Sequence, residues 1–370
     1  MPLPRRLRFI WFWLLAASPL LAQGPKYVER EFFIPWAESQ PSGLDALLVY
    51  YNSPGKHPLV VLTHGSAREA AKHAEVTPWQ QLPQAIWFAR RGWIALAVVR
   101  RGYGNSDGDP DTNHGGHGLW PDYHEAGRYS AEDLRRAIEY IRVFPQVDAA
   151  HIIAAGVSTG GFATVALTAD APAGLVAAIN FSGGRGSRAD DNVRHPEALV
   201  RAYGDFGRHS RVPMLWLYSQ NDKFFWPDLA RQFDAAFRSG GGRDQFVLAP
   251  PIGSDGHALF ANIPIWSDPV DQFLAANHLI FLPKPLPEPP APDVPPPPGL
   301  NPGGIVAFHQ YLLAPPHKAF AVSLHHFYGY SAGNITPDLA CSKALDRCHR
   351  AAVGMEWGTI VYVDNAPVSP

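Results

Sequence analysis

The stretch from His151 to Phe162 reads HIIAAGVSTGGF, and the interpretation of the whole chain starts from it. Its apolar run, Ile152–Ala155, stops at a glycine, which is typical of a buried strand. The apolar residues that follow Gly161 suit a buried helix. A strand must therefore turn into a helix within about three residues, and Ser158 lies at that corner.

The pattern Gly-x-Ser-x-Gly permits this sharp turn. A side chain at Gly156 or Gly160 would collide with the neighbouring backbone. The turn holds the serine in a strained conformation with its hydroxyl clear of the sheet. Taken alone, the same residues also fit a glycine-rich loop that contains a serine by chance. The interpretation of Ser158 as a nucleophile therefore depends on other parts of the chain.

A histidine and an acid follow the serine in a suitable order. A serine hydroxyl is a weak nucleophile until a base removes its proton. Val212–Tyr218 indicates a buried strand, and Asp222 comes just after it. Gln245–Leu248 indicates the next strand, and His257 lies in the loop that follows. We expect His257 to act as the base for Ser158 and Asp222 to orient it.

The surroundings of the acid leave alternatives open. Asp255 competes with Asp222, since it lies only two residues from His257. Asp222 is preferred because it follows a strand, which fixes its position against a separate loop. Phe224 and Phe225 come directly after it, and they either line a substrate pocket or belong to ordinary packing.

An oxyanion hole is predicted beside the serine. Pro58–Thr63 indicates a strand, and the loop after it places the backbone N–H of Ser66 near that of Thr159. His64 is in the same loop, which favours a structural role over a role as base. Together with Tyr103, His64 is also a candidate for the lining of the substrate pocket.

These residues together resemble the α/β-hydrolase superfamily. The resemblance is carried by Gly156–Gly160, Asp222, His257 and His64-Gly65, and it is closest to dienelactone-hydrolase-like proteins and short esterases or peptidases. The segment 101–106, RGYGNS, is similar to the Arg-Gly-x-Gly-x-Ser that many of these hydrolases carry. The resemblance to the superfamily as a whole extends over roughly residues 26–282. True dienelactone hydrolases have a cysteine at the sharp strand-to-helix turn, the nucleophile elbow, which corresponds to Gly156–Gly160 here. The serine at this position argues against a dienelactone substrate.

Repeated alternation of strands and helices predicts a mostly parallel sheet covered on both faces. Besides the strands named above, strands are expected at Tyr27–Ile34, Leu44–Tyr51, Trp93–Val99 and Val176–Phe181, and helices at Trp79–Arg91, Ser130–Phe144, Pro196–Gly207, Pro227–Arg238 and Ile265–His278. Ser130 is expected to cap its helix. Ligands of such folds bind beyond the carboxyl ends of the strands, where Ser66, Ser158, Asp222 and His257 all fall.

The first 22 residues are predicted to be a signal peptide. Arginines at positions 5, 6 and 8 precede an apolar run, Phe9–Ala22, of about 14 residues. A spanning helix needs about 20 residues, so cleavage is favoured over an uncleaved anchor. We expect a secreted or periplasmic protein without stable membrane insertion. The formal net charge of −2 gives no basic surface for nucleic acid.

The composition changes after Leu282. We predict a hydrolase domain over residues 23–282, a proline-rich spacer over 283–303 and a small α+β module over 304–370. Strands are expected at Lys318–Ser323, Phe327–Ser331 and Gly358–Val363, and a helix begins at Thr336-Pro337. The spacer is expected to uncouple the two units, and the alternative is that Phe308–Leu313 or the hairpin of the module packs back on the hydrolase domain. An interaction with an unknown partner is the hypothesis for the module.

Two further sets of residues have side chains that could bind a metal or form a disulfide. The segment 107–124 contains six side chains that could bind a metal, but their spacing matches no defined metal motif, and a loop rimming the pocket is favoured; they are Asp107, Asp109, Asp111, His114, His117 and His124. No cofactor is expected. Cys341 and Cys348 are seven residues apart, which is about 10.5 Å along a helix. This exceeds the ~7 Å limit for bridged Cα atoms, so no bond between them is expected.

The sequence therefore predicts a serine hydrolase that acts on a small carboxylic ester. A serine peptidase of the prolyl-oligopeptidase-like class is the alternative within the same chemistry, although the chain has no room for the large propeller of those enzymes. A non-catalytic binding protein on the same fold is the alternative from another class. The complete set of candidate catalytic residues counts against it.

Overall fold

The computed structural model describes residues 26–115 and 120–368. The predicted signal peptide, residues 1–22, lies outside the described residues. In the part of the chain that is described, no helix is both long and apolar enough to cross a membrane.

The larger unit is built around one mixed sheet and one small hairpin. The strands are β1 (Lys26–Ile34), β2 (Leu44–Asn52), β3 (His57–Thr63), β4 (Ile94–Val98), β5 (Val147–Val157), β6 (Leu175–Phe181), β7 (Ser187–Ala189), β8 (Asn192–Val193), β9 (Met214–Ser219) and β10 (Asp244–Ala249). Eight of them form a sheet in the order β1-β2-β4-β3-β5-β6-β9-β10, while β7 and β8 pair separately. Only the β1–β2 and β2–β4 pairs of the large sheet are antiparallel.

Helices cover both faces of this sheet. They are α1 (Leu82–Ala89), α2 (Tyr123–Ile141), α3 (Thr159–Ala169), α4 (Pro196–His209), α5 (Pro227–Gly240) and α6 (Ile263–Ala276). Leu59 and Val61 of β3 face a layer formed with α2, α3, α4 and α5. Val60 and Leu62 face the opposite layer, formed with α1 and α6. Both faces of β3 are buried, which explains its continuous apolar sequence and confirms the predicted α/β architecture.

One predicted helix start is wrong. Helix α2 begins at Tyr123, seven residues before Ser130, and Asp122 caps it by accepting a hydrogen bond of 3.0 Å from the Glu125 N–H. Ser130 instead lies inside the helix and is fully buried. Its hydroxyl donates to a carboxylate oxygen of Asp111 at 2.7 Å. A serine can cap a helix or bond to a buried group inside one, and the local sequence does not distinguish the two.

The small unit at the C-terminus is a four-stranded antiparallel sheet between two helices. Its elements are α7 (Pro302–Leu313), β11 (Ala319–Ser323), β12 (Tyr328–Ser331), α8 (Pro337–Ala351), β13 (Gly358–Val363) and β14 (Ala366–Pro367), with the strand order β12-β11-β13-β14. Phe320 faces α7, whereas Ala319 and Ala321 face α8. The α+β character is confirmed, but α7 was not predicted. Cys341 and Cys348 both lie on α8 as free thiols.

Polar contacts join the small unit to the large one. The Thr77 hydroxyl donates to the carbonyl oxygen of Gly333 at 3.0 Å, and the Gln80 amide donates to the same oxygen at 3.3 Å. Lys343 forms an ion pair with Glu75 at 2.5 Å. The segment 70–81 of the large unit is therefore in direct contact with the module.

The proline-rich segment also lies against the large unit. Arg90 donates to the carbonyl oxygen of Leu286 at 2.6 Å and pairs with Glu288 at 2.7 Å. The Tyr51 hydroxyl donates to the carbonyl oxygen of Pro287 at 2.6 Å. These bonds count against the expectation that the spacer uncouples the two units. Phe308, Tyr311 and Leu312 of α7 pack inside the module, while Ile305, Val306 and Leu313 are exposed, so the helix does not supply the contact that the alternative hypothesis assigned to it.

Candidate active site

Ser158 lies at the sharp turn between β5 and α3. Its backbone has φ 57° and ψ −122°, a conformation that costs energy for a residue other than glycine. A Cβ atom at Gly156 would be 2.3 Å from the carbonyl oxygen of Gly160, and a Cβ atom at Gly160 would be 2.4 Å from that of His64. Both glycines are therefore required by close backbone approach, as the sequence pattern predicts. Ser158 is 5% exposed.

His257 is bonded to Asp222 at the same edge of the sheet. The Nδ1 atom of the imidazole is 3.1 Å from both carboxylate oxygens of Asp222, which follows β9. One carboxylate oxygen also accepts from the N–H groups of Phe224 and Phe225, at 2.8 and 2.9 Å. A carboxylate can only accept, so Nδ1 carries the proton and Nε2 is left as the basic nitrogen.

The competing carboxylate has a different task. Asp255 accepts hydrogen bonds from the backbone N–H of Lys223 at 3.1 Å and from the backbone N–H of His257 at 2.9 Å. It thereby caps the short helical turn Gly256–Ala261. The structure brings Asp222, and not Asp255, to the imidazole ring.

The loop after β3 passes directly beside the elbow. A Cβ atom at Gly65 would be 2.8 Å from the Cβ atom of Ser158, so only glycine fits there. Within residues 26–115 and 120–368, the backbone N–H groups of Ser66 and Thr159 donate no hydrogen bond to another protein group. Thr159 is also the first residue of α3, where the helix dipole favours negative charge. Two free donors thus flank the serine.

His64 and Tyr103 do not line an open pocket. Nδ1 of His64 bonds to the Gly65 carbonyl at 2.7 Å, and Nε2 accepts from the Arg100 N–H at 3.0 Å. Burial, together with the nearby Arg100, holds the pKa of His64 well below its ordinary value. The Tyr103 side chain is fully buried and donates to Asp111 at 2.6 Å. Both residues support the loop from inside, which corrects the assignment of the pair to the substrate pocket.

Phe224 and Phe225 have different roles. Phe224 stacks on the imidazole of His257, and the Arg68 guanidinium lies 3.7 Å from the centroid of the same phenyl ring. Phe225 is buried in the core and turns toward the imidazole with its ring tilted by 65°. Phe224 therefore lies directly beside the imidazole of His257, while Phe225 belongs to ordinary packing.

A buried polar cluster beneath the loop was missed by sequence reasoning. Asp111 forms an ion pair with Arg185 at 2.9 Å and lies 3.4 Å from Arg100. Burial alone would raise the pKa of Asp111, but the two guanidinium groups hold it well below its ordinary value. Arg100 and Asp111 lie in neighbouring parts of the chain, but Arg185 is 74 positions after Asp111, so no local spacing could reveal the cluster. The only signal was the likeness of residues 101–106 to a hydrolase segment.

The segment that was weighed as a metal site uses its polar groups in other ways. Asp109 bonds to His114 at 2.9 Å, and the ring of His124 stacks on Phe206. His117 lies outside the described residues. No group of three or more histidine, cysteine, aspartate or glutamate side chains that could hold a metal ion is found in residues 26–115 and 120–368.

Comparison with known proteins identifies the fold. No protein-family model matches the chain, and no curated protein matches its sequence. Esterase 2 of Thermogutta terrifontis, phosphorylated by paraoxon, superposes with a TM-score of 0.50 at 17% identity over 69% of this chain and 96% of that one. A putative dienelactone hydrolase from Klebsiella pneumoniae subsp. pneumoniae MGH 78578 superposes with a TM-score of 0.48 at 18% identity, and the match covers 68% of this chain and 99% of that one.

An acylaminoacyl peptidase from Pyrococcus horikoshii gives a TM-score of 0.47 at 16% identity, and the match covers 68% of this chain but only 41% of the peptidase. At such identities the likeness concerns the fold. Together with the strand order and the turn at Ser158, the match to the esterase shows that the chain has the α/β-hydrolase fold. The resemblance identified from the sequence is confirmed at this level.

Proposed function

We propose that the protein is a serine hydrolase that cleaves small carboxylic esters. The observation that carries the proposal is the hydrogen bond between His257 and Asp222 at the sheet edge where Ser158 occupies a strained turn. Ser158 attacks the ester carbonyl, and Nε2 of His257 takes its proton and passes it to the leaving alcohol. Asp222 holds the imidazole in the required tautomer and stabilises the imidazolium.

The two free N–H groups supply the second requirement of this chemistry. Attack on the carbonyl places a negative charge on its oxygen, and the backbone N–H groups of Ser66 and Thr159 are the donors for that charge. Water then attacks the acyl-enzyme with His257 again acting as base. Each proton transfer is assigned to a side chain of this protein, so the proposed reaction requires no metal.

A panel of substrates tests the proposal. Purified protein is assayed with p-nitrophenyl esters of graded chain length and with matched p-nitroanilides, with and without EDTA. It is also treated with a fluorophosphonate probe. We expect ester hydrolysis that resists EDTA, slower anilide hydrolysis, and labelling that disappears in Ser158→Ala while the circular dichroism spectrum is retained. Labelling that persists in this variant means that the nucleophile is elsewhere, and faster anilide hydrolysis favours a peptidase.

Export of the enzyme is proposed from the sequence of residues 1–22 alone. Cleavage after Ala22 leaves Gln23 as the first residue of the mature protein. Fractionation of the source cells and sequencing of the N-terminus test this, and recovery of full-length protein with the membranes would favour an uncleaved anchor.

A further inference from the structure

Arg100, just beyond β4, touches both sides of the proposed oxyanion hole. Its side chain is fully buried. On the loop side, its guanidinium donates to the hydroxyl of Thr63 at 3.0 Å and to the carbonyl oxygen of His64. On the elbow side, it donates to the hydroxyl of Thr159 at 2.8 Å. A single rigid group therefore bridges the loop that carries one oxyanion donor and the turn that carries the other.

The hydroxyl groups next to this guanidinium form a chain with a fixed direction. Thr159 and Ser66 are 2.8 Å apart, Ser66 and Tyr103 are 2.6 Å apart, and Tyr103 bonds to Asp111 at 2.6 Å. A guanidinium only donates and a carboxylate only accepts. Thr159 therefore donates to Ser66, Ser66 donates to Tyr103, and Tyr103 donates to Asp111. The chain begins at Arg100 and closes on it through the 3.4 Å ion pair with Asp111.

This ring uses the side chains of Ser66 and Thr159 and leaves their backbone N–H groups free. Each of the two residues is thus held by its hydroxyl while its N–H is available for a ligand. The ring also carries charge, because the guanidinium groups of Arg100 and Arg185 share the single carboxylate of Asp111, while the nearby carboxylate of Asp133 is paired with Arg101. One positive charge is left over in a buried environment, where its effect on a neighbouring anion is larger than in water.

We propose that Arg100 is the positioning residue of the oxyanion hole: it fixes the Ser66 and Thr159 donors relative to each other and supplies the excess positive charge behind them. This inference rests on the proposed serine hydrolase function. Arg100 reaches the substrate only through the two donors. Its field acts on the charge that develops on the carbonyl oxygen in the transition state, and the neutral ester feels it much less. Loss of Arg100 should therefore lower kcat and leave KM nearly unchanged.

The experiment compares Arg100→Lys with Arg101→Lys. Both variants lose a buried guanidinium. That of Arg101 pairs with Asp133 at 2.5 Å and does not touch the loop after β3 that carries the Ser66 donor, which we call the oxyanion loop. We expect Arg100→Lys to lower kcat by about 10- to 100-fold, somewhat less than the loss of a direct oxyanion donor. Arg101→Lys should keep kcat within about twofold. A trifluoromethyl ketone inhibitor, which binds as an anionic hemiketal, should weaken in parallel with kcat in Arg100→Lys alone.

A second pair of variants keeps the test decisive if Arg100→Lys does not fold. Thr159→Val preserves the shape of the side chain and removes the hydroxyl that Arg100 reaches, whereas Thr159→Ser restores it. We expect a reduced kcat in the valine variant and recovery in the serine variant. Equal kcat in the valine variant and the wild type overturns the inference. A fall in kcat that is as large in Arg101→Lys as in Arg100→Lys also overturns it.

The wild-type protein separates this inference from the proposed function. If it reacts with the fluorophosphonate at Ser158 and hydrolyses esters, the proposed function holds and the variants judge the role of Arg100 alone. If it neither reacts nor hydrolyses any ester, the proposed function fails and the inference fails with it.

Discussion

The imidazole of His257 lies parallel to the phenyl ring of Phe224, with the ring centroids 4.0 Å apart and the planes within 9°. The guanidinium of Arg68 lies against the same ring, so it must occupy the opposite face. Arg68 is held in turn by an ion pair of 3.0 Å with Asp190 and a hydrogen bond of 3.1 Å to Ser187. The imidazole is thus fixed at its edge by Asp222 and across its face by this stack.

Removing the aromatic ring should loosen the imidazole. We predict that Phe224→Leu lowers kcat for a p-nitrophenyl ester by about tenfold, because a small displacement of the base from its productive position is costly. Phe224→Tyr keeps the stacked ring and should retain most of the activity. Steady-state kinetics of the two variants check this, and equal values of kcat in Phe224→Leu and the wild type would show that the stack has no part in positioning.

The two candidate acids should differ sharply. Asp222→Asn should lower kcat by about 10⁴-fold, since an amide in place of the carboxylate favours the wrong imidazole tautomer. Asp255→Asn should cost much less, because Asp255 accepts only from backbone N–H groups and an asparagine oxygen can do the same. Both values come from steady-state kinetics on one substrate. The reverse ranking would transfer the role of acid to Asp255.

The close approach of the loop to the elbow gives a steric prediction. In Gly65→Ala, the new Cβ atom would lie 2.8 Å from the Cβ atom of Ser158, so the loop must move away from the nucleophile. We expect a large loss of kcat/KM and slower labelling by the fluorophosphonate. Gly204→Ala in helix α4 is the matched control, because its Cβ atom meets nothing closer than 3.5 Å. Unchanged labelling of Gly65→Ala would mean that the loop is not part of the site.

Removal of the module should affect the hydrolase domain. A chain that ends at Pro283 loses the acceptor of Thr77 and Gln80 and two partners of Arg90. We predict a lower thermal midpoint. We also predict a reduced kcat, because His73, which lies in the segment 70–81 that contacts the module, bonds to the carbonyl oxygen of Ala67 at 2.9 Å, next to Ser66.

Scanning calorimetry and kinetics of residues 23–283 against 23–370 measure these effects. Lys343→Ala in the full chain is a control for the surface ion pair alone, which contributes no more than about 1 kcal/mol. Identical midpoints and rates in the long and the short chain would restore the view of two uncoupled units.

Short sequence patterns predicted those elements whose structure depends mainly on residues close together in the chain. Most predicted strand ends agree within two residues, and Gly358–Val363 agrees at both ends. The exception is β5, which begins at Val147, five residues before the predicted Ile152, and the short strands β7, β8 and β14 were not predicted. The strands of the large sheet were predictable because buried strands in parallel sheets are short apolar runs bounded by turn residues. The elbow was predictable because its glycine pattern is local, although the contact that requires Gly160 comes from the distant residue His64. Asp222 was separable from Asp255 only through the rule that parallel strands present their following residues at one edge.

Other features depend on contacts that no short window contains. Ser130 has the residue type of a cap, but Asp111 from a preceding loop gives its hydroxyl a buried partner. The ring around Arg100 joins residues 100–111 to Ser66 and Thr159, which come from two other segments. Helix α7 is a different failure, since Asn301 caps it and Pro302 begins it, and both signals were present in the sequence. The preceding run of prolines is typical of an extended spacer and favours the wrong structure for the residues that follow it.

The bond between Thr77 and Gly333 also sets an order of events during synthesis. The two residues are 256 positions apart, and domains generally fold as the chain emerges from the ribosome or, if it is exported, on the far side of the membrane, the N-terminal one first. The large unit can therefore assemble its sheet while the hydroxyl of Thr77 still bonds to water. Its segment 70–81 acquires its final partners only after almost the whole chain has been translated. A translation arrest before position 333 would yield a sheet with Ser158 in place but without the partner that Gly333 provides for the segment 70–81.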